Sequence, residues 1–360
     1  MIPYEDLKRL NSPFEEQLQQ KYTGFIKKGH YILGGELEAF EKDFAAYHKA
    51  PHCIGISNGL DALILSLKAC ELPAGAEVIV PAHTYIATIL AILNCGLKPV
   101  LIEPDVNTYN IDTSKIEEAI TPNTKAMMVV HLYGKCSDMN AIMQIKQKHN
   151  LILIEDCAQA HGATYKGKLA GTFGEFGAFS FYPTKNLGAL GDAGGVLVKD
   201  TAYADMLVQL RNYGSKVKYY SDVIGQNCRL DELQAAFLSV KLPYLDKMNA
   251  HRNKLANLYF DNLSDKFILP ARSEDNYDVH HIFSIRHDKR DDLQQYLIGK
   301  EIGTVIHYPV APHQQKALKD VLPGSYPITE EIHRTTLSLP CSFCHTEAEI
   351  GQVIDALNAY

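Results

Sequence analysis

The sequence predicts an α/β fold, with a mostly parallel sheet in a large domain and a smaller C-terminal α+β domain. Between Cys53 and Asp200, short β-rich runs alternate with longer helical stretches, as right-handed crossovers between parallel strands require. Several of these runs are almost continuously apolar, which indicates strands buried on both faces. Beyond about residue 229 long helices with few strands follow, so we predict a large domain over 1–240 and a small one over 241–360.

The large domain takes its elements from local patterns. Residues 13–50 form two predicted amphipathic helices separated by Gly34-Gly35, and residues 55–69 form a strand followed by a helix. The other strand candidates are EVIVPA, PVLIEP, AMMVVHLYG, LILIED, GAFSFY and GGVLVK.

The small domain begins after one long predicted helix, DELQAAFLSVKLPYLDKMNAHRNKLANLYFDNL, which bridges the two domains. Its predicted strands are HIFSIRH and GTVIHYPV, and its closing helix is EAEIGQVIDALNAY.

Composition excludes several classes of protein. The 360 residues carry a net charge of −7 with scattered Lys and Arg, so a nucleic-acid-binding surface is not expected. The N-terminus lacks a signal-peptide pattern, and no apolar run is long enough to span a membrane. The eight cysteines are dispersed, which is typical of reduced, packed thiols in a cytoplasmic enzyme.

A carboxylate and an amine are predicted at one edge of the sheet. Asp156 ends the run LILIED, and Lys185 follows the strand GAFSFY on a loop that contains Pro and Gly. Ligands of open α/β sheets bind at the carboxyl ends of the strands. Pyridoxal 5′-phosphate (PLP) requires such a pair, because a lysine holds it as an imine and an acid keeps its ring nitrogen protonated. The alternative is a surface ion pair, for which a carboxylate ending an apolar strand is poorly placed.

The phosphate of such a cofactor needs a helix N-terminus. Ser57-Asn58-Gly59, between a strand and an apolar helix, supplies one, although the same residues also form an ordinary N-cap. Ser180 enters the lysine loop and offers a hydroxyl to the same phosphate. Tyr85 either stacks on the pyridine ring or is a buried core residue. Gln159 is placed to bond the ring hydroxyl.

The stretch Cys341–Cys344–His345 resembles half of a zinc site. Structural zinc needs four ligands, and no second half occurs at a suitable spacing. We therefore expect a coincidental motif and no metal.

Together the motifs resemble those of the nucleotide-sugar aminotransferases of the DegT–DnrJ–StrS family, which have the aspartate aminotransferase fold (PLP fold type I). The resemblance runs nearly end to end, and its specificity lies in the order and spacing of the pieces. They are GGELEAFEKDFAAY, ISNGLDAL, PAHTYIAT, LYGKCSDM, IEDCAQAHGA, FSFYPTKNLGALGDAGG, GQNCRLDELQAA and HYP.

The resemblance implies a role for each candidate residue. Lys185 would be the Schiff-base lysine and Asp156 the partner of the pyridine nitrogen. The other cofactor contacts would be Gln159 near the ring hydroxyl, Tyr85 over the ring, and Ser57, Asn58, Gly59 and Ser180 around the phosphate.

Two further sets of residues depend on the resemblance alone. Asn227 matches a residue that reaches the phosphate of the neighbouring subunit, which implies a homodimer with composite sites; otherwise it is a loop residue before a helix. The sugar nucleotide would be contacted by Tyr182, Lys218, His307 and Tyr308.

The lysine also bears on the reaction, because some members of the family carry histidine there and catalyse dehydration. Lys185 favours transamination from L-glutamate to a nucleotide-linked keto sugar. Its loop resembles that of enzymes that aminate C3 of dTDP-linked 3-keto-6-deoxyhexoses. Enzymes that aminate C4 more often carry histidine at the position of Tyr182 and Thr-Thr-Gly-Glu at 189–192. C4 amination of a dTDP- or UDP-4-keto-6-deoxyhexose, and a PLP-binding regulator without turnover, stay open.

Overall fold

The computed structural model describes residues 1–360. Its α-helices are α1 (Leu7–Asn11), α2 (Glu15–Lys28), α3 (Gly35–His48), α4 (Gly59–Ala69), α5 (Ile86–Asn94), α6 (Met139–His149), α7 (Thr201–Leu210), α8 (Glu232–Lys241), α9 (Leu245–Asn262), α10 (Arg290–Gly299), α11 (Pro327–Thr335) and α12 (Glu347–Ala359). None of them has both the length and the apolar character of a membrane-spanning helix.

The strands are β1 (His52–Ile56), β2 (Glu77–Pro81), β3 (Lys98–Ile102), β4 (Thr124–Val130), β5 (Ile152–Asp156), β6 (Thr164–Tyr165), β7 (Lys168–Leu169), β8 (Phe176–Ser180), β9 (Gly194–Val198), β10 (Ser215–Val217), β11 (Tyr220–Ser221), β12 (Asn276–Tyr277), β13 (Phe283–Arg286) and β14 (Thr336–Leu339).

Seven strands form the central sheet, in the order β1-β9-β8-β5-β4-β2-β3. Strands β3, β2, β4, β5 and β8 are parallel, whereas β9 runs antiparallel to both β8 and β1. Every residue of β2 and of β9 is buried, as expected for a sheet covered on both faces. The predicted α/β class, the mostly parallel sheet and its six strand candidates are therefore confirmed.

Apolar side chains alternate between two cores along the strands, because successive residues of a strand point to opposite faces. Ile79 of β2 packs in one core with Phe40 and Phe44 of α3. Its neighbours Val78 and Val80 pack in the other core, which includes residues of α4, α5 and α7. The sheet is thus held between two helical layers, and its strand ends remain free to carry polar residues.

The register aligns the strand ends at one edge. Val130 of β4 pairs with Asp156 of β5, and Asp156 pairs with Ala178 of β8. Beyond β8 the chain turns back on itself, since Phe181 N donates to Ala193 O at 2.7 Å and Ala189 N donates to Phe181 O at 2.8 Å. The loop that carries Lys185 is therefore anchored beside Asp156.

A separate core lies in the C-terminal part of the chain. The antiparallel pair β13 and β14 packs there with side chains of α9, α10 and α12. Ile2 joins this core, whereas Leu318 and Leu322 join the core of the sheet. The separate core supports a second, smaller domain, although Leu242, Leu245 and Met248 still pack in a core of the sheet. The division at 240/241 stays a proposal.

Two predicted elements of the small domain differ from the structure. GTVIHYPV was predicted as a strand and is not one; only Val305 forms an isolated bridge, with Ser338. The carbonyls of His307 and Tyr308 bond to side chains instead of to a neighbouring strand. The long bridging helix is interrupted by a 3-10 turn at Leu242–Tyr244, because proline lacks the N–H that a helix interior needs.

Candidate active site

Asp156 ends β5 at the carboxyl edge of the sheet and is buried. Its Oδ2 accepts from Thr88 Oγ1 at 2.9 Å and its Oδ1 from Ala158 N at 3.1 Å. Burial raises the pKa of Asp156, and the hydrogen bonds and the charge of Lys185 oppose that shift only in part. A buried carboxylate of this kind favours a protonated partner, such as the ring nitrogen of a pyridine.

Lys185 lies on the loop between β8 and β9, directly after a turn in which its N–H donates to Tyr182 O at 2.8 Å. Burial lowers the pKa of Lys185 to about 8, although the charge of Asp156 raises it in part. An amine with this pKa is roughly one-tenth unprotonated at pH 7, far more than an ordinary lysine. The side chain is therefore suited to act as a nucleophile.

The N-terminus of α4 forms a cradle against the end of β8. Asn58 caps the helix, because its Oδ1 accepts from Asp61 N at 2.9 Å. The N–H groups of Gly59 and Leu60 donate to no acceptor within the chain. A Cβ at Gly59 would lie 2.7 Å from Cβ of Ser180, so only glycine permits this approach. Unpaired N–H groups at a helix start favour an anion such as phosphate.

Ser57 and Asn58 are both held by a residue that the sequence analysis did not name. Ser57 Oγ donates to Asp61 Oδ2 at 2.5 Å, and Asn58 Nδ2 donates to the same oxygen at 2.8 Å. Asp61 thereby orients two polar groups at the mouth of the cradle.

Gln159 and Tyr85 meet at Tyr308. Gln159 accepts from Tyr133 N at 2.6 Å and donates to the Tyr308 hydroxyl at 2.9 Å. The ring of Tyr85 lies 5.2 Å from that of Tyr308, tilted by 38°. Tyr85 is 53% exposed, so the alternative of a buried core tyrosine is wrong.

The His307–Tyr308 backbone is held by a network of buried side chains. The Tyr133 hydroxyl donates to His307 O, and Tyr308 O lies 2.7 Å from His333 Nδ1. His333 Nε2 lies 3.0 Å from Nδ1 of His83. This network places Tyr308 against Gln159 and so links the small domain to the crevice.

The other predicted substrate residues lie at the surface. Tyr182 is 52% exposed. Lys218 sits at the exposed tip of the β10–β11 hairpin, with its ammonium 5.1 Å from the centre of the Tyr219 ring. No hydrogen bond joins either side chain to Lys185 or Asp156, so their predicted roles rest on the resemblance.

Asn227 is also exposed, and it forms an isolated bridge with Asn212. The next residue, Cys228, accepts at its carbonyl from Ser57 N at 3.1 Å. The segment therefore lies beside the cradle of its own chain, and the Asn227 side chain is exposed to solvent.

Sequence reasoning missed Thr88, His281 and the Tyr133–His83–His333 network. Thr88 is the last residue of the motif PAHTYIAT and lies in the first turn of α5, and its bond to Asp156 depends on the packing of α5 against the sheet. His281 Nε2 lies 3.5 Å from Lys185 Nζ. The only available signal was the position of His83 and Thr84 directly after β2, at the same edge as Asp156.

The stretch Cys341–Cys344–His345 is not arranged to bind a metal. His345 has both ring nitrogens engaged, with Ser342 N at 3.0 Å and Pro3 O at 2.8 Å, so it offers no lone pair beside Cys341 and Cys344.

His131, Glu155 and Cys157 lie close enough to share an ion, but the carboxylate of Glu155 is saturated. Burial raises the pKa of Glu155, yet its hydrogen bonds outweigh that effect and leave the pKa below the ordinary value. The donors are His131 Nε2 and the N–H groups of Gly171, Phe173 and Gly174.

The crevice as a whole fits PLP. The cradle at Gly59 suits its phosphate, the buried carboxylate of Asp156 suits a protonated ring nitrogen, and the Lys185 amine suits its carbonyl carbon. The exposed ring of Tyr85 offers a face on which an aromatic ring can stack.

Comparison with known proteins gives matches over nearly the whole chain. The model of the DegT/DnrJ/EryC1/StrS aminotransferase family matches residues 13–358. The dTDP-3-amino-3,6-dideoxy-alpha-D-galactopyranose transaminase of Aneurinibacillus thermoaerophilus is 50% identical, over 100% of this chain and 99% of that protein. The crystal structure of S. venezuelae DesV in complex with a ketimine intermediate gives a TM-score of 0.98 at 41% identity, covering 99% and 98% of the two chains. The structure of ntda from Bacillus subtilis with bound cofactor PMP gives 0.92 at 33% identity, covering 99% and 84%.

Proposed function

This chain belongs to the DegT/DnrJ/EryC1/StrS aminotransferase family, and we propose that it transfers the amino group of L-glutamate to C3 of a dTDP-linked 3-keto-6-deoxyhexose. The product is a dTDP-3-amino-3,6-dideoxyhexose. The observation that carries the proposal is the end-to-end similarity, at 50% identity, to a dTDP-3-amino-3,6-dideoxygalactose transaminase.

The enzyme is a PLP-dependent aminotransferase. When bound, PLP supplies an electron sink for the carbon that gains or loses the amino group. We propose that Lys185 and Asp156 hold its reactive carbon and its ring nitrogen. The remaining contacts would come from Gln159, Tyr85, Ser180 and the cradle formed by Ser57, Asn58 and Gly59.

The residues of the chain then bind, orient and move protons. Lys185 Nζ takes the proton from the α-carbon of glutamate in the first half-reaction and delivers a proton to C3 of the sugar in the second. Asp156 keeps the ring nitrogen protonated through both halves. We propose that Tyr308, whose hydroxyl accepts from Gln159 and whose carbonyl is bound by His333, contacts the sugar.

We propose that the lysine loop selects C3, because Tyr182 and residues 189–192 differ from the histidine and Thr-Thr-Gly-Glu that C4-aminating enzymes more often carry. Tyr182 and Leu190 stand exposed on either side of Lys185, and Leu190 N donates to Gln234 Oε1 at 2.9 Å. The loop is thereby anchored to α8. Since a misplacement of about 1 Å costs on the order of a hundredfold in rate, the shape of such a loop is sufficient to select between adjacent ring carbons.

The proposal is tested by the regiochemistry of the product. The pyridoxamine form is incubated with a panel of dTDP- and UDP-linked 3-keto and 4-keto sugars, and each product is identified by NMR. We expect nitrogen on C3 of a dTDP-linked 6-deoxyhexose. Nitrogen on C4, or a preference for 4-keto acceptors, overturns the C3 assignment. A bound cofactor without turnover on any acceptor indicates a regulator.

We further propose a homodimer in which Asn227 completes the phosphate site of the neighbouring subunit. The exposure of Asn227 and its position next to the Ser57 segment support a role near phosphate, in one subunit or the other. A cytoplasmic location stays a prediction from the sequence.

Complementation decides which subunit Asn227 serves. Lys185→Ala and Asn227→Ala are each expected to be impaired as homodimers. A mixed dimer with one chain of each kind restores one complete site if Asn227 acts across the interface, so we expect about half the turnover of the wild-type dimer. Heterodimers that stay as inactive as their parents show that Asn227 acts within its own subunit.

A further inference from the structure

His281 lies between β12 and β13 and faces the lysine of the crevice. Its Nε2 is 3.5 Å from Lys185 Nζ, and the remaining nitrogen, Nδ1, is 3.2 Å from Oδ1 of Asn186. The backbone of this segment is anchored, because Val279 N donates to Gly134 O at 2.9 Å. The ring is therefore held in place from the side opposite to the amine.

The orientation of the Asn186 amide follows from its neighbours. Asn249 Nδ2 donates to His161 O at 2.8 Å, and a carbonyl can only accept, so the Asn249 Oδ1 is the end that faces Asn186. Asn186 Nδ2 donates to that oxygen at 2.8 Å and to Val279 O at 2.9 Å. With its nitrogen committed to two acceptors, Asn186 presents its oxygen to His281.

The protonation of His281 follows from that orientation. Because Asn186 Oδ1 can only accept, Nδ1 of His281 carries the hydrogen. In the neutral ring Nε2 then has a free lone pair, and this lone pair faces Lys185 Nζ. The amides of Asn186 and Asn249, with the carbonyls of His161 and Val279, thus select the tautomer that can accept from the amine.

The surroundings keep the ring neutral. Burial holds the pKa of His281 well below its ordinary value, and the charges of Lys185 and Arg252 lower it further, as do His307 and His161. The acceptor at Nε2 therefore persists near neutral pH.

We propose that His281 is a positioning residue for Lys185, whose amine donates a hydrogen bond to Nε2 whenever it is not joined to the cofactor. An amine that donates to His281 Nε2 keeps its own lone pair directed away from the imidazole ring. The bond also restricts the rotamers of the Lys185 side chain before the cofactor arrives. Less side-chain entropy is then lost when the amine is joined to the cofactor. The inference rests on the proposed role of Lys185 and adds to it the group that aims the amine.

Two substitutions separate acceptance at Nε2 from the contact to Asn186. In His281→Gln the terminal amide reaches the place of Nε2, and its oxygen can accept from Lys185. In His281→Asn the shorter amide keeps a donor for Asn186 and leaves no acceptor at the place of Nε2. The readout is the rate at which each apoenzyme captures added PLP, followed by the absorbance of the bound cofactor.

We expect His281→Asn to capture PLP about tenfold more slowly than wild type, the size expected for one net hydrogen bond. His281→Gln is expected to stay within about threefold of wild type. The matched control is His280→Gln, which replaces the adjacent histidine; that ring packs on Phe260 and Phe283 instead of on Lys185. Thermal unfolding of every variant reports any general loss of stability.

Equal capture rates for the two His281 variants, or wild-type capture by His281→Asn, overturn the proposal. A second measurement needs no variant that folds poorly: ¹⁵N NMR of histidine-labelled wild-type apoenzyme must show an unprotonated Nε2 at His281, and a protonated one also overturns it. Wild-type enzyme that never captures PLP at Lys185 contradicts the proposed function instead. The two failures are therefore distinguishable.

Discussion

Replacing Lys185 with alanine is expected to abolish the visible absorbance of the bound cofactor and to lower turnover by more than about a thousandfold. The reason is that one side chain both holds the cofactor and moves the proton, and proton transfer by a positioned group alone contributes about 10²- to 10⁴-fold. The measurement is the absorption spectrum of the reconstituted variant together with glutamate half-reaction kinetics.

In wild-type apoenzyme, the rate of PLP capture is expected to rise with pH and to level off above about pH 8, where the buried Lys185 amine has lost its proton.

The chain offers a matched control for this experiment in Lys241. Burial also lowers the pKa of Lys241 to about 8, but its ammonium donates to Gly188 O at 2.7 Å, on the far side of the same loop. Lys241→Gln is therefore expected to keep the cofactor absorbance while loosening the loop. A Lys185→Ala enzyme that transaminates at the wild-type rate, or a Lys241→Gln enzyme that loses its colour, contradicts the assignment of the cofactor lysine.

The parts of the fold that were predictable share one physical basis. The strands of the central sheet are buried on both faces, so each is a short apolar run that stands out locally. Asp156 ends such a run, and Gly59 and Lys185 follow within a few residues of the ends of β1 and β8. The carboxyl ends of parallel strands meet at one edge. The strand pattern alone therefore predicts that these residues lie close together.

Other features depend on contacts between distant segments. His281 meets Lys185 across 96 positions of the chain, and Tyr133 meets His307 across 174. No local pattern encodes such pairs. The failed strand GTVIHYPV has the same cause. Its β-branched and aromatic residues favour a strand locally, but the carbonyls of His307 and Tyr308 are bound by buried side chains of distant segments. Asn227 and Lys218 remain predictions because a single chain does not place them against a second subunit or a substrate.

Asp156→Asn is expected to lower turnover by at least about two orders of magnitude, the contribution that one preorganised group typically makes to an active site. Asparagine keeps the shape of the side chain, but it lacks the charge that keeps a ring nitrogen protonated. Cofactor capture is expected to persist in part, since Lys185 and the cradle at Gly59 are unchanged. The measurement is the rate of the glutamate half-reaction, and unchanged kinetics would show that Asp156 is structural only.

The stability of the apoenzyme is expected to move in the opposite direction to its activity. Burial raises the pKa of Asp156 in the folded chain above its value in the unfolded chain. Between these two pKa values the folded state binds more protons than the unfolded state. Stability is therefore lost as the pH rises from the unfolded-state pKa through the folded-state pKa. Asparagine carries no charge to bury, so the melting temperature of Asp156→Asn apoenzyme at pH 7 is expected to equal or exceed that of wild type. The difference should vanish in acid, below the unfolded pKa of about 3.9.

Thr88→Val is the matched control, because it removes a hydrogen bond to Asp156 and leaves the charge. It is expected to slow turnover far less than Asp156→Asn. A large loss of stability in Asp156→Asn at pH 7 would mean that the carboxylate holds the fold together, and that its burial at the strand end serves the structure before the chemistry.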